Sequence, residues 1–232
     1  MIEFIVLICV YKMMQVKTLR RIVFYVVTIV CNLFALYLSG SRTAWIPFVV
    51  TIPFMFLINK RFIYFTTSMA GIGGAGLLLL LEPKLMQRAT IFQDFAKRSN
   101  IWETAIKGIQ AHPLLGEGPL TYFHIYKQYH GHPTQHAHSI YLDPILSHGI
   151  IGVILAGIYF AGNLKEVYLL LKRRIDLRLF SLISAFILTI LIHGILDYTV
   201  YWVQTGLLFL IVLSASSMYF HKEQPYDIQE EH

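Results

Sequence analysis

The chain has 232 residues, of which 56% are hydrophobic and 14% charged, with a mean hydropathy of +0.59. A soluble core of this length cannot hide so much apolar surface, so the composition excludes a water-soluble globular domain and points to an integral membrane protein. The formal charge of +6 is carried by short basic clusters between apolar runs, a pattern that reports orientation in a bilayer and not nucleic-acid binding.

The first apolar run, Ile2 to Tyr11, falls short of the roughly 20 residues a helix needs to cross a bilayer. Its positive charges, Lys12, Lys17, Arg20 and Arg21, follow it, whereas a signal peptide carries them ahead. A truncated helix is expected, in the C-terminal part of a larger protein or in a shortened relative. Runs of spanning length, or nearly so, follow at Ile22 to Leu38, Ala44 to Ile58 and Phe62 to Leu81, joined by very short connections. Pro47 and Pro53 bend the second of these, and Gly71, Gly73, Gly74 and Gly76 allow close helix approach in the third. No strand precedes those glycines, so phosphate binding is the weaker reading. Cys9 and Cys31 sit inside apolar runs and read as small buried hydrophobes, not as a disulfide.

A long polar stretch, Glu82 to Ala137, separates this half from further apolar runs at Ser139 to Gly162, Leu179 to Leu196 and Val200 to Phe220. The expected fold is all-α: a polytopic membrane protein with about six complete transmembrane helices and a partial N-terminal one. Residues 1–81 and 138–220 carry the membrane helices, 82–137 form a large, partly helical extracytoplasmic loop, and 221–232 a cytoplasmic tail. Lys12 to Arg21, Lys60-Arg61, and Lys165 with Lys172, Arg173, Arg174 and Arg178 fall on one side if each run crosses once, and that side is cytoplasmic. The loop, the Ser39 to Arg42 connection and the break near Tyr198 to Tyr201 then face outward.

Within the loop, Asn100-Ile101-Trp102-Glu103 has the form of a capping box with Asn100 as the cap. Ile101, Trp102, Ala105, Ile106 and Ile109 share one helical face before His112-Pro113, which predicts a short amphipathic helix at the membrane surface. Leu115 to Pro119 is turn chemistry. Tyr122, Phe123, Tyr126 and Tyr129 read as interfacial anchors, with sugar stacking as their second use, and Glu117 as a loop carboxylate. His124, His130, His132, His136 and His138 crowd the loop at spacings a metal could use, but no cysteine, no nearby carboxylate and no HExxH pattern completes a ligand set. No metal site is expected.

Four pieces recur in order: Ser39-Gly40-Ser41-Arg42; Arg98 to Trp102; His112 to Gly118; and His138-Ser139, nine intervening residues, then Gly149-Ile150-Ile151-Gly152. This set resembles the bacterial O-antigen ligase and polysaccharide polymerase superfamily. The resemblance implies a glycosyltransferase of the bacterial cytoplasmic (inner) membrane. It would move a saccharide from a polyprenyl-diphosphate carrier to a glycan or lipid acceptor, with no cofactor and no nucleic-acid partner.

The chemistry of that reaction asks for particular residues. Nucleotide sugars are cytoplasmic, so an outward-facing enzyme needs a donor already activated in the lipid, and its leaving diphosphate gains negative charge that fixed cations stabilise. Arg42 opens a helix beside free backbone N–H groups, Arg98 is placed ahead of the amphipathic helix, and Arg88 is a further phosphate contact. A snorkelling Arg42 and a solvated Arg98 are the bland alternatives. His138, at the mouth of a helix, is the candidate general base, with Arg98 beside it in the catalytic set. Ser139, Asp143, Trp102, Gly149 and Gly152 are supporting residues. Asp143 and Asp197 are fallback bases, Asp143 near enough in sequence to pair with His138. Direct attack by the acceptor would invert the anomeric centre. A multispan transporter, with metal ions as its candidate cargo, and a non-catalytic fragment of a longer protein are the alternatives from other classes.

Overall fold

The computed structural model describes residues 1–41, 43–81 and 88–220, with side chains described for all of these except 79 and 88–93. Arg42, the side chain of Arg88 and the tail 221–232 therefore lie outside the described residues. Nine α-helices are described: α1 (Ile2–Met13), α2 (Leu19–Leu38), α3 (Ile46–Ile58), α4 (Phe62–Leu81), α5 (Arg88–Ala111), α6 (Thr121–Ile125), α7 (Asp143–Lys172), α8 (Leu177–His193) and α9 (Val203–Ser214). Short 3-10 turns at Thr43–Trp45, Thr199–Tyr201 and Ala215–Tyr219 complete them, and no strand occurs among the described residues.

The organising element is α8, which packs on α1, α3, α7 and α9. Its buried face, Leu182, Ala185, Phe186 and Ile190, meets Phe4 and Leu7 of α1 and Met55 of α3, and the Phe4 and Phe186 rings stack at 4.1 Å. The other side of α8, Phe180 and Ile183, packs with Val167 and Leu170 of α7 and Leu213 of α9. Each contact follows from apolar residues recurring every three to four positions on a helix. α1 has 12 residues, about 18 Å of helix, shorter than the roughly 30 Å hydrocarbon core of a bilayer.

α2 and α7 are the two helices among the described residues long and apolar enough to cross a membrane by length and composition. The stretches Thr43–Ile58, Phe62–Leu78, Leu177–His193 and Val203–Tyr219 are apolar but shorter. α2 leaves Leu19, Phe24, Phe34 and Tyr37 exposed, a continuous apolar surface of the kind that fits lipid. Among the described residues, nothing lies within 4 Å of a Cβ added at Gly71, Gly73, Gly74 or Gly76, so the close helix approach expected there is not made among them. Cys9 is buried as expected and Cys31 is exposed; both are free.

The loop folds into a small unit on the N-terminal half of α7. α5 is longer than the capping box implied: it runs unbroken through Arg98 and Asn100, so neither sits ahead of a helix N-terminus. The residues upstream are good helix formers and Phe95 packs edge-on against Trp102 with ring centroids 6.2 Å apart, so the helix extends past its local stop signal. Ile101 and Ala105 are buried with Tyr122, Ile125, Ala137 and Leu146, whereas Ile106 is exposed. Tyr122 is a core residue here, its hydroxyl donating to the His132 carbonyl at 3.0 Å, and not an interfacial anchor.

α7 begins at Asp143 instead of Ser139, with Pro144 in its first turn, where a missing N–H costs nothing. It is broken at Gly149, whose φ of 64° and ψ of −177° no other residue adopts readily. The break frees backbone groups, and the segment after α5 satisfies them. Ile150 and Ile151 donate to the carbonyls of Pro113 and Leu114 at 2.9 and 3.2 Å, while Gly118 donates to the Ser147 carbonyl at 2.8 Å. Two of the four sequence pieces thus meet as one docking joint.

Candidate functional site

His138 lies in the segment 136–142, which crosses from the loop unit to the end of α8. Ile140 donates to the Gly194 carbonyl at 2.9 Å, and the Tyr141 hydroxyl to the Leu191 carbonyl at 2.9 Å. The approach is so close that a Cβ on Gly194 would fall 2.3 Å from the Ile140 side chain. The segment is further fixed by Asp143, whose Oδ1 accepts from the Ala137 N–H at 2.7 Å, and by Ser139, whose hydroxyl accepts from the Tyr141 N–H at 3.3 Å. Held in this way, His138 takes a left-handed backbone, φ 45°, a conformation that costs a non-glycine residue free energy and is tolerated where its surroundings over-determine it.

The imidazole of His138 faces two groups. Its Nδ1 is 3.0 Å from Asp197 Oδ1, and its Nε2 is 3.1 Å from the Thr134 hydroxyl. With the proton on Nδ1 toward the carboxylate, Nε2 is left as the proton acceptor. Asp197, not Asp143, is therefore the carboxylate that pairs with His138; Asp143 is turned to the Ala137 backbone. Burial alone would raise the Asp197 pKa, but the hydrogen bond and charge of His138 with the Tyr198 N–H bring it down to about 2.

His136 sits beside this pair. Its ring centroid is 4.4 Å from that of His138 and 4.7 Å from that of Tyr201, and its Nδ1 accepts from the His138 N–H at 3.2 Å. Burial, with the nearby His138 and Arg98 charges, lowers its pKa to about 4 against the opposing pull of Asp197, so the ring is neutral at pH 7. It is buried, which departs from the interfacial polar role expected of the loop histidines. Tyr198, its ring tilted against Tyr201 at a centroid distance of 5.8 Å, is pushed up to about 12 by burial and the Asp143 charge.

Arg98 reaches the same place from the middle of α5. Its charge acts on His136, and its buried Nη1 atom has no hydrogen-bond partner among the described residues. Trp102, one turn on, directs its indole N–H at the His138 carbonyl at 3.4 Å. The structure thus brings together His138, Ser139, Asp143, Trp102 and Arg98 from the sequence-derived set. Gly149 and Gly152 serve the α7 joint behind the site, Gly152 lying against the His148 side chain. Asp197 was named only as a fallback, while Thr134, His136 and Tyr201 were not named as site residues. Their sequence signal was faint: two histidines flanking one alanine, and an aspartate four residues after a histidine at the end of an apolar helix.

His136, His138 and Asp197 each offer a donor atom within 4.8 Å of the others, so this cluster has the composition of a metal site as well as of a base. The sequence expectation had found no carboxylate near the histidines; folding supplies one from 59 residues further along the chain.

The described residues are all-helical, with two apolar helices long enough for a bilayer, and they carry a partly buried histidine and aspartate pair beside an arginine with one nitrogen unpartnered among the described residues. The family profile for O-antigen ligases matches residues 27–157, more than half of the chain, and the chain belongs to that family. The family is one of membrane glycosyl-transferring proteins of polysaccharide assembly, which use a lipid-linked saccharide and a glycan acceptor. The match includes Arg42, Arg98, His138 and the Gly149 joint, and stops short of Asp197. No curated protein and no solved structure matches the chain.

Proposed function

We propose that the chain transfers a saccharide from a polyprenyl-diphosphate carrier to a hydroxyl of a glycan acceptor, as a polymerase or ligase of surface polysaccharide. The observation that carries this reading is His138 held between Asp197 and a hydroxyl, with Arg98 close by. Thr134 marks where an acceptor hydroxyl would stand. Nε2 of His138 takes that hydroxyl's proton as the oxygen attacks the anomeric carbon. The bond from that carbon to the diphosphate oxygen breaks, its electron pair leaves with the diphosphate, and the anomeric centre inverts. Arg98 stabilises the diphosphate, joined by Arg42 and Arg88, which the sequence offers for the same anion. Two observations favour a hydrogen-bonded base over a metal centre: Nδ1 of His138 is committed to Asp197, and Nδ1 of His136 accepts a backbone N–H.

The same reading sets the topology: a multi-pass protein of the bacterial cytoplasmic membrane, with the loop unit extracytoplasmic and the basic clusters and C-terminus cytoplasmic. Transfer by the purified protein from a polyprenyl-diphosphate saccharide, lost in His138→Ala, is the direct test. In cells, accumulated single repeat units indicate a polymerase and accumulated long chains a ligase. The His136, His138 and Asp197 cluster favours metal transport as the second reading. Metal uptake that survives His138→Ala, with no change in glycans, would replace the first.

A further inference from the structure

At the end of α8, one turn before Asp197, a second pair of titratable groups is buried that the reaction does not use. Glu3 of α1 and His193 are each about 95% buried, and Glu3 Oε1 lies 2.9 Å from His193 Nδ1. Neither atom is aligned for a hydrogen bond with the other. The far ring nitrogen, Nε2, is 3.2 Å from the hydroxyl of Thr43. This line of three residues joins the start of α1, the end of α8 and the turn that opens α3, elements whose apolar residues form two clusters, one with Phe4, Leu7 and Ile190 and one with Ala44 and Phe48.

A pair of this kind is not explained by stability. Withdrawing a carboxylate and an imidazole from water costs several kcal/mol, and well-packed apolar residues of the same volume hold helices together at least as firmly. What a polar line supplies instead is a fixed direction. His193 is tied to Asp197 through the chain, the Asp197 N–H donating to the His193 carbonyl at 2.9 Å, and its charge also acts on the Asp197 carboxylate. Thr43 follows Arg42 directly. One histidine therefore touches the connection that carries the family's first arginine, while the same turn of chain presents the carboxylate that orients His138.

We propose that Glu3 and His193 are positioning residues for the transfer reaction: Glu3 sets the His193 ring, and His193 grips Thr43, holding the Thr43–Trp45 turn that opens α3 in register with the His138 and Asp197 pair. The donor side of the site is then coupled to the acceptor side through the last turn of α8. This rests on the transferase reading above.

The test uses the full chain in two assays. In the transfer assay, Thr43→Val and His193→Gln each raise the KM for the polyprenyl-diphosphate saccharide about tenfold, the effect of one lost part-buried hydrogen bond, while the KM for the acceptor stays unchanged. The double variant is no worse than either single one, because both remove the same contact. Glu3→Gln, which keeps the shape and an acceptor oxygen, retains more activity than Glu3→Ala. The second assay needs no activity. A spin label at Ser41→Cys, with Cys9 and Cys31 replaced by alanine, gives a broad, immobilised spectrum that Thr43→Val and His193→Gln both sharpen. An unchanged spectrum, or multiplicative KM effects, overturns the proposal even if transfer is intact. Should the wild-type chain transfer nothing, the transferase reading falls, and the spectra still decide whether His193 holds the connection.

Discussion

The two ends of α8 carry polar clusters of similar make-up and different finish. At its start, Asp176 caps the helix: Oδ1 accepts from the N–H groups of Arg178 and Leu179 at 3.0 and 2.9 Å, and Oδ2 accepts from the Tyr219 hydroxyl at 2.8 Å. Nearby, Asn59 donates to the Ser181 hydroxyl at 2.8 Å and to its own helix at 2.7 Å. Each of these groups finds its partners within the chain. At the other end, Arg98 has a buried nitrogen without a partner among the described residues, and Glu3 faces His193 out of line. Polar groups that only hold a helix find all their partners within the chain, whereas a site awaiting a charged substrate leaves some unmet.

The sharpest break of this contrast is His138→Ala. Losing the proton acceptor should reduce the transfer rate by about 10²- to 10⁴-fold with little change in thermal stability, measured by turnover of a lipid-linked donor. A fall confined to stability would make His138 another structural residue, like Asp176.

Gly149→Ala tests the joint that carries the site. An added Cβ would stand 2.1 Å from the Leu114 carbonyl oxygen, on a backbone that alanine does not adopt without strain. A loss of roughly 3 kcal/mol or more is expected, read as a lower melting temperature and as protease cleavage between α5 and α6.

The pH dependence of stability separates the two ends in another way. His136 has a folded pKa of about 4 against an ordinary value of 6.5. The unfolded chain therefore takes up its proton first as pH falls. The stabilisation is present in full above pH 6.5, declines from there toward pH 4, and amounts to at most about 3 kcal/mol. Asp197, lowered from 3.8 to about 2, adds a second loss that sets in as pH falls through its ordinary value and is complete below about pH 2. Thermal melts in detergent should show the decline between pH 6.5 and 4, and His136→Gln should remove it.

Much of the site's inventory was legible in the sequence, and its pairings were not. The spacing from His138 to Gly149 marked a rim and a helix, and the Arg98 to Trp102 piece marked the facing element, because both are local patterns. What escaped depended on contacts between distant segments. Asn100 looked like a cap because a capping box spans four residues, but the helix-forming stretch before it and the packing of Phe95 on Trp102 extended α5 through it. Gly149 and Gly152 looked like small residues within one continuous helix; Gly149 is a break, which only the docking of Pro113 and Leu114 makes affordable. Asp143 was the nearer carboxylate along the chain, yet the turn that starts α7 points it back at Ala137, and the partner of His138 comes from beyond α8.

Arg98→Lys asks how the unmet arginine nitrogen is used. A lysine keeps the charge but loses the planar fork that grips two phosphate oxygens at once, so the KM for the donor should rise about tenfold and Arg98→Ala should cost more. Equal activity of the lysine variant would mean that Arg98 acts on the site through its field alone.

The smallest effect belongs at the finished end of α8. Asp176→Ala removes an N-cap and the acceptor of the Tyr219 hydroxyl, an exposed contact. Such a cap contributes about 1 kcal/mol, so a modest drop in melting temperature is expected. The KM and turnover of transfer should stay at wild-type values, because a helix held by its apolar faces on α3 and α7 keeps His193 and Asp197 where they are. If Asp176→Ala instead raised the donor KM as His193→Gln does, the two ends of α8 would be mechanically linked, and the division between a finished and an unfinished end would describe one device spread along the whole helix.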